Sequence, residues 1–600
     1  MLTGSHRVAL RPPILPSSIP VLLRERGIGP TKHRLAWRLI DQSTEIRDTA
    51  SFADLYHRSA FVGRKLHRLG LGRAARVMLL MDTRLEFYYA LFGAMLSCAL
   101  PVAVYPPLSA SNLNATLEHL RRVALELDAA ALITTEDLYP VARLLSFGRP
   151  FPIFVLDHVG NDDAAGLPGL DWQPGNEPVL LQYTSGSLSS PRAVALSTKA
   201  ILSNLSAIGD AFALRDGDIG LSWLPLYHDM GLHSVFFGLM FEMPAILMSP
   251  IDFMRKPSSW LRAIARYGVT HSPAPTFGYS YAARRIRNVD LEGVRLDRWR
   301  VAMCGAEPID AGILGRFADR FAAFGFDKNA FMAAYGLAEN VVAVSFAAPG
   351  RGLRVDHTDA DRAELQGVTS IGNREHLASV VSVGTPIVGH QVRILAEGAE
   401  EPPDGIVGEI EVRGPSRMIE YWHDPVGSGQ VIRGEWLRTD DLGYIRDNEL
   451  YVTGRRKELI IRGGRNYYPH DIEAAATVKD VRRGSVVAFA LKNPVSGTDD
   501  IILVAEVRRS VSLDNPDLVE RIRAGVRSML NVALREVVLV KPGSVPKTSS
   551  GKLRRDECRT RYQTGRLTPP ARADWSVLAR IAMFRLLPRF VRRLLRWSQV

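Results

Sequence analysis

The chain has 600 residues, with 46% apolar and 23% charged side chains and three cysteines. That composition suits a soluble globular protein of more than one domain and excludes a disulfide framework, a fibrous repeat or a disordered chain. Cys98, Cys304 and Cys558 are far apart with no metal-ligand spacing, which fits a reducing cytoplasm. The net charge of +12 points to acidic partners such as a nucleotide, an acidic carrier protein or anionic lipid. No nucleic-acid motif accompanies it, so nucleic acid is not an expected partner.

The N-terminal stretch lacks a charged start followed by an unbroken apolar core, so no secretory leader is expected. Residues 35–69 read as a polar strand pair followed by an amphipathic helix. Residues 75–81 form a buried strand by their apolar run, 84–98 have helical periodicity, and 101–105 are again strand-like. Residues 130–134 and 153–157 continue the alternation. Strands spaced by helices predict a parallel, doubly wound α/β sheet. The most apolar run, 90–105, is broken by Ser97 and Pro101 and is too short to span a bilayer.

The run Pro178–Tyr183 is a further buried strand. It breaks into Thr184, Ser185, Gly186 and Ser187, with Ser189 and Ser190 beyond. Successive N–H groups and hydroxyls in such a loop converge on an anion such as a nucleotide phosphate. No Gly-Lys-Ser/Thr closes it, so it is not a P-loop. Further on, SWLPLYHDMGL places His228 between a strand end and a helix. The aromatic residues Phe236, Phe277 and Tyr279 are candidates to wall an apolar pocket. VAMCGAEPI runs a strand into Gly305, Ala306 and Glu307, and AYGLAE carries Tyr335, Gly336 and Glu339. Residues 346–383 are polar and crowded with charge. WLRTDDLG then supplies Asp440 and Asp441, VTGRRKE supplies Arg455 and Lys457, and VPKTSSGKLRR supplies Lys552.

In this order and spacing, the five motif stretches resemble the adenylate-forming superfamily of acyl-CoA synthetases, luciferases and adenylation domains. The SWLPLYHDMGL string, Ala338 in place of the usual Thr, and the polar insertion resemble its fatty acyl-AMP ligases. The resemblance covers about residues 35–561 and implies an α/β fold: a large N-terminal domain (1–455) of stacked α/β sheets, with a β-subdomain (384–455) after the insertion (346–383). A small mobile C-terminal α+β domain (456–564) follows. It implies ATP and Mg2+ as cofactors, and activation of a fatty acid to an acyl-adenylate. Transfer to the phosphopantetheine thiol of an acyl carrier protein, or of a synthase carrier domain, would follow. Residue by residue, Thr184, Ser185, Gly186 and Ser187 would cradle phosphate. Gly305, Ala306, Glu307, Tyr335 and Gly336 would flank adenine, and Asp441 and Arg455 would bind ribose or phosphate. Glu339 would hold magnesium, His228 would orient the carboxylate, Lys552 would be the moving catalytic cation, and Lys457 would be the hinge. An acyl-CoA synthetase of the same fold and a catalytically impaired adenylate-binding protein are the alternatives.

Four phosphate-loop positions depart from the superfamily pattern: Leu188, Ser189, Arg192 and Ala193. Asp440 stands where glycine is usual and is expected to strain its turn. The tail, 565–600, carries Val577, Ile581, Phe584, Leu587, Val591 and Leu594 on one helical face and five arginines on the other. It reads either as a basic amphipathic helix making peripheral membrane contact or as a helix docked on its own domain.

Overall fold

The structure, a computed structural model, describes residues 2–3, 15–107, 113–145, 151–156, 158–184, 192–357, 379–396, 402–462, 465–493, 499–547 and 552–568. The tail from 569, most of the polar insertion (358–378) and Ser185, Gly186 and Ser187 of the phosphate loop lie outside the described residues.

Two large sheets dominate the first 430 residues or so. One runs Glu420–Tyr421, Ala193–Ser197, Pro178–Tyr183, Leu100–Val104, Arg76–Leu80, Ala131–Thr134, Ile153–Val155, and five of these strands are parallel. The other has the parallel order Phe331–Tyr335, Val301–Cys304, His271–Ala274, Gly220–Ser222, Ala245–Met248, Leu35–Ile40 at its centre, with antiparallel edges. The alternation read from the sequence is therefore the alternation of the fold, with strand ends displaced by a residue or two.

Local chemistry fixes the helices between these strands. Phe52–Arg68 begins at a reciprocal cap: Asp54 N–H donates to Ser51 Oγ (3.1 Å), and Ser51 N–H donates to Asp54 Oδ2 (2.9 Å). Such a cap contributes about 1 kcal/mol. Lys65, His67 and Arg68 complement the dipole at the other end. Leu85–Leu96 and Asp229–Phe241 are apolar on nearly every side and lie in the common core, where such helices belong. Phe92 and Phe236 meet edge-to-face at 5.6 Å and join them.

A second kind of architecture follows. Gln391–Leu395, Gly408–Arg413, Trp436–Arg446 and Glu449–Arg455 form an antiparallel β-meander. The described ends of the polar insertion dock onto it: Arg351 pairs with Glu449, Arg354 with Asp447, and Tyr444 donates to Asp356 (2.6 Å). Beyond the turn Arg456–Glu458, a separate core of Ile472, Val486, Leu503, Ile522 and Val526 holds an α+β unit. Its sheet is Val481–Lys492, Asp499–Val507, Glu536–Val540, flanked by helices Pro469–Ala475 and Pro516–Leu530.

Candidate active site

Neighbouring parallel strands end together, and this brings distant motifs to one edge. Val301–Cys304 and Phe331–Tyr335 are adjacent, so Gly305, Ala306 and Glu307 come up beside Tyr335 and Gly336 at the carboxyl ends of the strands. Crevices at such ends are where α/β sheets bind ligands. A cavity of about 1580 Å³ opens there, also lined by Thr184, His228, Glu339, Asp441, Arg455 and Lys552. Gly336 is required by packing: a Cβ there would lie 1.7 Å from the Val342 carbonyl oxygen. Asn204, buried in helix Thr198–Phe212, holds the following loop by donating to Ala343 O (2.9 Å) and accepting from Ala343 N–H (3.1 Å).

Asp441 is buried at the heart of a small network. Tyr335 Oη donates to its Oδ2 (2.8 Å) and Arg455 Nε to its Oδ1 (3.0 Å). Glu339 sits in the turn Ala338–Asn340, where Tyr421 Oη donates to its Oε1 (2.7 Å). Burial raises the Glu339 carboxyl above its ordinary range, with the Tyr421 bond opposing. Tyr421 does a second job, because the Arg192 guanidinium lies 4.7 Å from its ring centroid. Arg192 N–H donates to Thr184 Oγ1 (3.1 Å), and Thr184 N–H donates to Arg192 O (2.9 Å), which closes the base of the phosphate loop. Arg192 therefore ties the loop to the Glu339 turn through Tyr421. Glu307 accepts from Phe277 N–H (2.6 Å), and burial raises its carboxyl as well.

His228 precedes helix Asp229–Phe241 and is half-buried in the wall of the cleft. Burial first, and the charge of Lys552 second, push its imidazole down to about 3, so it is neutral at physiological pH. Lys552 enters from the C-terminal unit. Its loop is braced on the far side by Arg555, which bonds both oxygens of Glu473 (2.7 Å each) and Glu458 Oε2 (2.7 Å). On the near side Lys547 and Leu553 form a backbone bridge. Burial lowers the Lys552 ammonium below the ordinary lysine range, and Asp229 opposes this most.

The structure does not bring together every residue singled out in the sequence. Phe277 lines the cavity, but Phe236 and Tyr279 do not. Phe236 points to the opposite side of its helix, onto Phe92, and its neighbour Phe237 faces the cavity instead. Tyr279 is enclosed by Trp260, Trp299, Phe317 and Phe331, with its hydroxyl donating to Met303 O (2.9 Å). Asp440 adopts φ +62°, the conformation that the usual glycine would take. Asp tolerates it better than most residues. Lys457 lies outside the cleft, its Nζ 3.4 Å from Asp440. Tyr421, Asp229 and Phe237 are site residues that the sequence reading missed.

Fold and cleft together define a two-part nucleotide-binding enzyme whose small C-terminal unit supplies a lysine to a strand-end crevice. Comparison with known proteins is consistent with that class. The AMP-binding enzyme family matches residues 31–422. A medium-chain-fatty-acid–[acyl-carrier-protein] ligase of Moorena producens is 32% identical over 89% of this chain and 93% of that protein. A long-chain-fatty-acid–AMP ligase of Mycobacterium bovis is 31% identical over 92% of this chain and 98% of that protein. A solved structure from work on fatty acyl-adenylate ligases from E. coli and L. pneumophila superposes with a TM-score of 0.82 at 32% identity, covering 91% of this chain and 98% of that one. The chain belongs to the AMP-binding enzymes, in the branch of fatty-acid adenylating ligases.

Proposed function

We propose that this enzyme joins a fatty acid to AMP, with ATP as co-substrate, and passes the acyl group to the thiol of a carrier protein. The observation that carries this reading is Lys552, which lines the same cavity as His228, Glu307 and Asp441 although it belongs to a different folding unit. A carboxylate oxygen of the fatty acid attacks the α-phosphorus, the bond to the bridging oxygen breaks, and pyrophosphate leaves. Both reactants are anions, so catalysis rests on positioning and on neutralising charge. Lys552 supplies a desolvated cation at the developing charge. Neutral His228 orients the carboxylate without binding it as an ion pair. Asp441, held by Tyr335 and Arg455, accepts from the ribose hydroxyls, and Gly305, Ala306 and Gly336 allow close approach of the flat base.

A magnesium ion fits this donor set. Among the described residues no group of three or more His, Cys, Asp or Glu could hold a metal. Glu339 lines the cavity beside the phosphate-loop strand end, and one protein carboxylate there suits an ion bound mainly through substrate phosphates. The ion would neutralise triphosphate charge. Lys457 would then serve as the pivot about which the small domain (456–564) exchanges faces for thiol transfer. We place the enzyme in the cytoplasm. No helix among the described residues is long and apolar enough to cross a membrane.

The experiment is fatty-acid-dependent pyrophosphate release, followed by thioester formation with free CoA or with a phosphopantetheinylated carrier protein. Release with thioester on the carrier supports the reading. Abundant acyl-CoA makes the enzyme a CoA synthetase, and no release makes it a non-catalytic binder.

A further inference from the structure

The deep end of the cavity is not uniformly apolar. Strand His271–Ala274 runs toward the strand-end crevice, so its first residue lies furthest from it, roughly 10 Å down the sheet at about 3.3 Å per residue. His271 is in register with Gly220 and Val301 and on the same face as Val301, which belongs to the core under the cavity. All three line the cavity, together with Phe212, Phe237 and Met243. The imidazole is 3% exposed, with the Phe212 ring centroid 5.5 Å away.

One edge of this ring is fully engaged and the other is not. Nδ1 lies 2.8 Å from Thr270 Oγ1 and 3.9 Å from Asp218 Oδ1. Thr270 Oγ1 accepts from Ile219 N–H (3.0 Å) and reaches Ile219 O at 3.2 Å. We assign the imidazole proton to Nδ1, where the Asp218 carboxylate favours it, with the threonine proton on Ile219 O. Asp218 is itself held by Arg300 and by Arg215 N–H (2.7 Å). Burial lowers the imidazole to about 4, opposed by Asp218 and more weakly by the Phe212 backbone, so the ring is neutral at physiological pH. Nε2 then carries a lone pair, and it has no hydrogen-bond partner among the described protein atoms. A buried acceptor without a donor is costly, and a ligand that supplies the donor recovers that cost.

We propose that His271 Nε2 is a specificity determinant that selects acyl chains bearing a hydroxyl at or near the end remote from the carboxylate. The hydroxyl donates to Nε2 while Phe212, Phe237 and Val301 pack the methylenes before it. This rests on the adenylating function proposed above and narrows its substrate class. A site built to pair with a hydroxyl discriminates against the analogue that lacks it, because the site's own polar atom is then left unpaired.

The test compares kcat/KM for pyrophosphate release with a series of ω-hydroxy fatty acids and the unsubstituted acids of equal length. At the best-fitting length the wild type prefers the hydroxy acid by roughly ten- to hundredfold. His271→Phe, which keeps a ring and removes the acceptor, abolishes or inverts that ratio. The ratio is measured on one enzyme preparation, so a poorly folded fraction does not alter it. Thr270→Val, which removes the group fixing the tautomer, reduces the ratio with a smaller effect on KM for ATP. Equal use of both acids at every length overturns the proposal and leaves the adenylating function standing, as does a preference unchanged in His271→Phe. Release with neither acid overturns both.

Discussion

Asp440 and Asp441 are consecutive residues with the same carboxylate, yet they serve different parts of the molecule. Asp441 is turned into the cleft and held by Tyr335 and Arg455. Asp440 faces the link to the small domain, with Arg456 Nε at 3.3 Å and Lys457 Nζ at 3.4 Å. The difference comes from one dihedral. With φ at +62°, Asp440 interrupts the alternation of strand Trp436–Arg446, so the pair addresses two environments within one short segment. Arg456 also reaches the buried Glu409 (3.3 Å), so the link is fastened to the β-meander at two carboxylates. The cleft and the link to the small unit therefore meet at one point in the chain, and substitutions on either side test whether their roles are separate.

The largest effect is expected on the cleft side. Lys552→Ala should lower the rate of pyrophosphate release about a hundredfold or more while leaving the fold intact, because a desolvated charge at the reacting phosphate has no substitute. A normal rate would remove Lys552 from the mechanism. In the proposed role the lysine acts as a cation, and burial lowers its pKa, so activity should be present at lower pH and lost as pH rises through that value. The alkaline limb of the pH–rate profile should then fall below the ordinary lysine range. Lys552→Arg, always charged, should lose the limb even though its rate is lower. A limb unchanged in the arginine variant would assign it to another group.

Asp441→Asn comes next. An amide offers one acceptor where the carboxylate offered two, and it leaves Tyr335 or Arg455 without its partner. ATP binding should weaken about tenfold or more, with a smaller change for the fatty acid. Calorimetry with each ligand reads this directly, and an equal loss for both would make Asp441 a structural residue.

The contrast also shows what a sequence can carry. Strand–helix alternation was legible because apolar runs and periodicity are local properties, and the motif clusters were legible because each lies within a few consecutive residues. Contacts that cross the chain left no such trace. Tyr421 reaches Glu339 across 82 positions, and nothing in its own neighbourhood announces that it also stacks on Arg192. Phe236 and Phe237 could not be told apart because their helix is apolar on nearly every side, so no pattern says which ring meets the cavity. Tyr279 was misplaced for the opposite reason: an aromatic beside a site is as easily claimed by a neighbouring core. At Asp440 the sequence pointed to a turn suited to glycine, and its φ is left-handed, but the direction in which the carboxylate turns was not legible.

The smallest effect is on the link side, and it bears most directly on the comparison. Asp440→Gly keeps the left-handed backbone and removes both ion pairs. Lys457 is 57% exposed and Arg456 49%, so solvent screens these contacts and together they contribute about 1 kcal/mol or less. That is still enough to shift an equilibrium between two domain arrangements by up to about fivefold. The expected result is adenylation near the wild-type rate and a modest gain in acyl transfer to the carrier thiol, because the arrangement held by the pairs is released more readily. Raising the salt concentration should move the wild type toward the variant and leave the variant itself little changed, since screening weakens only charges that are present. If Asp440→Gly instead weakens ATP binding as Asp441→Asn does, the two carboxylates act as one unit and the division between cleft and link fails. If neither salt nor the substitution alters transfer, the ion pairs at Asp440 hold nothing that moves.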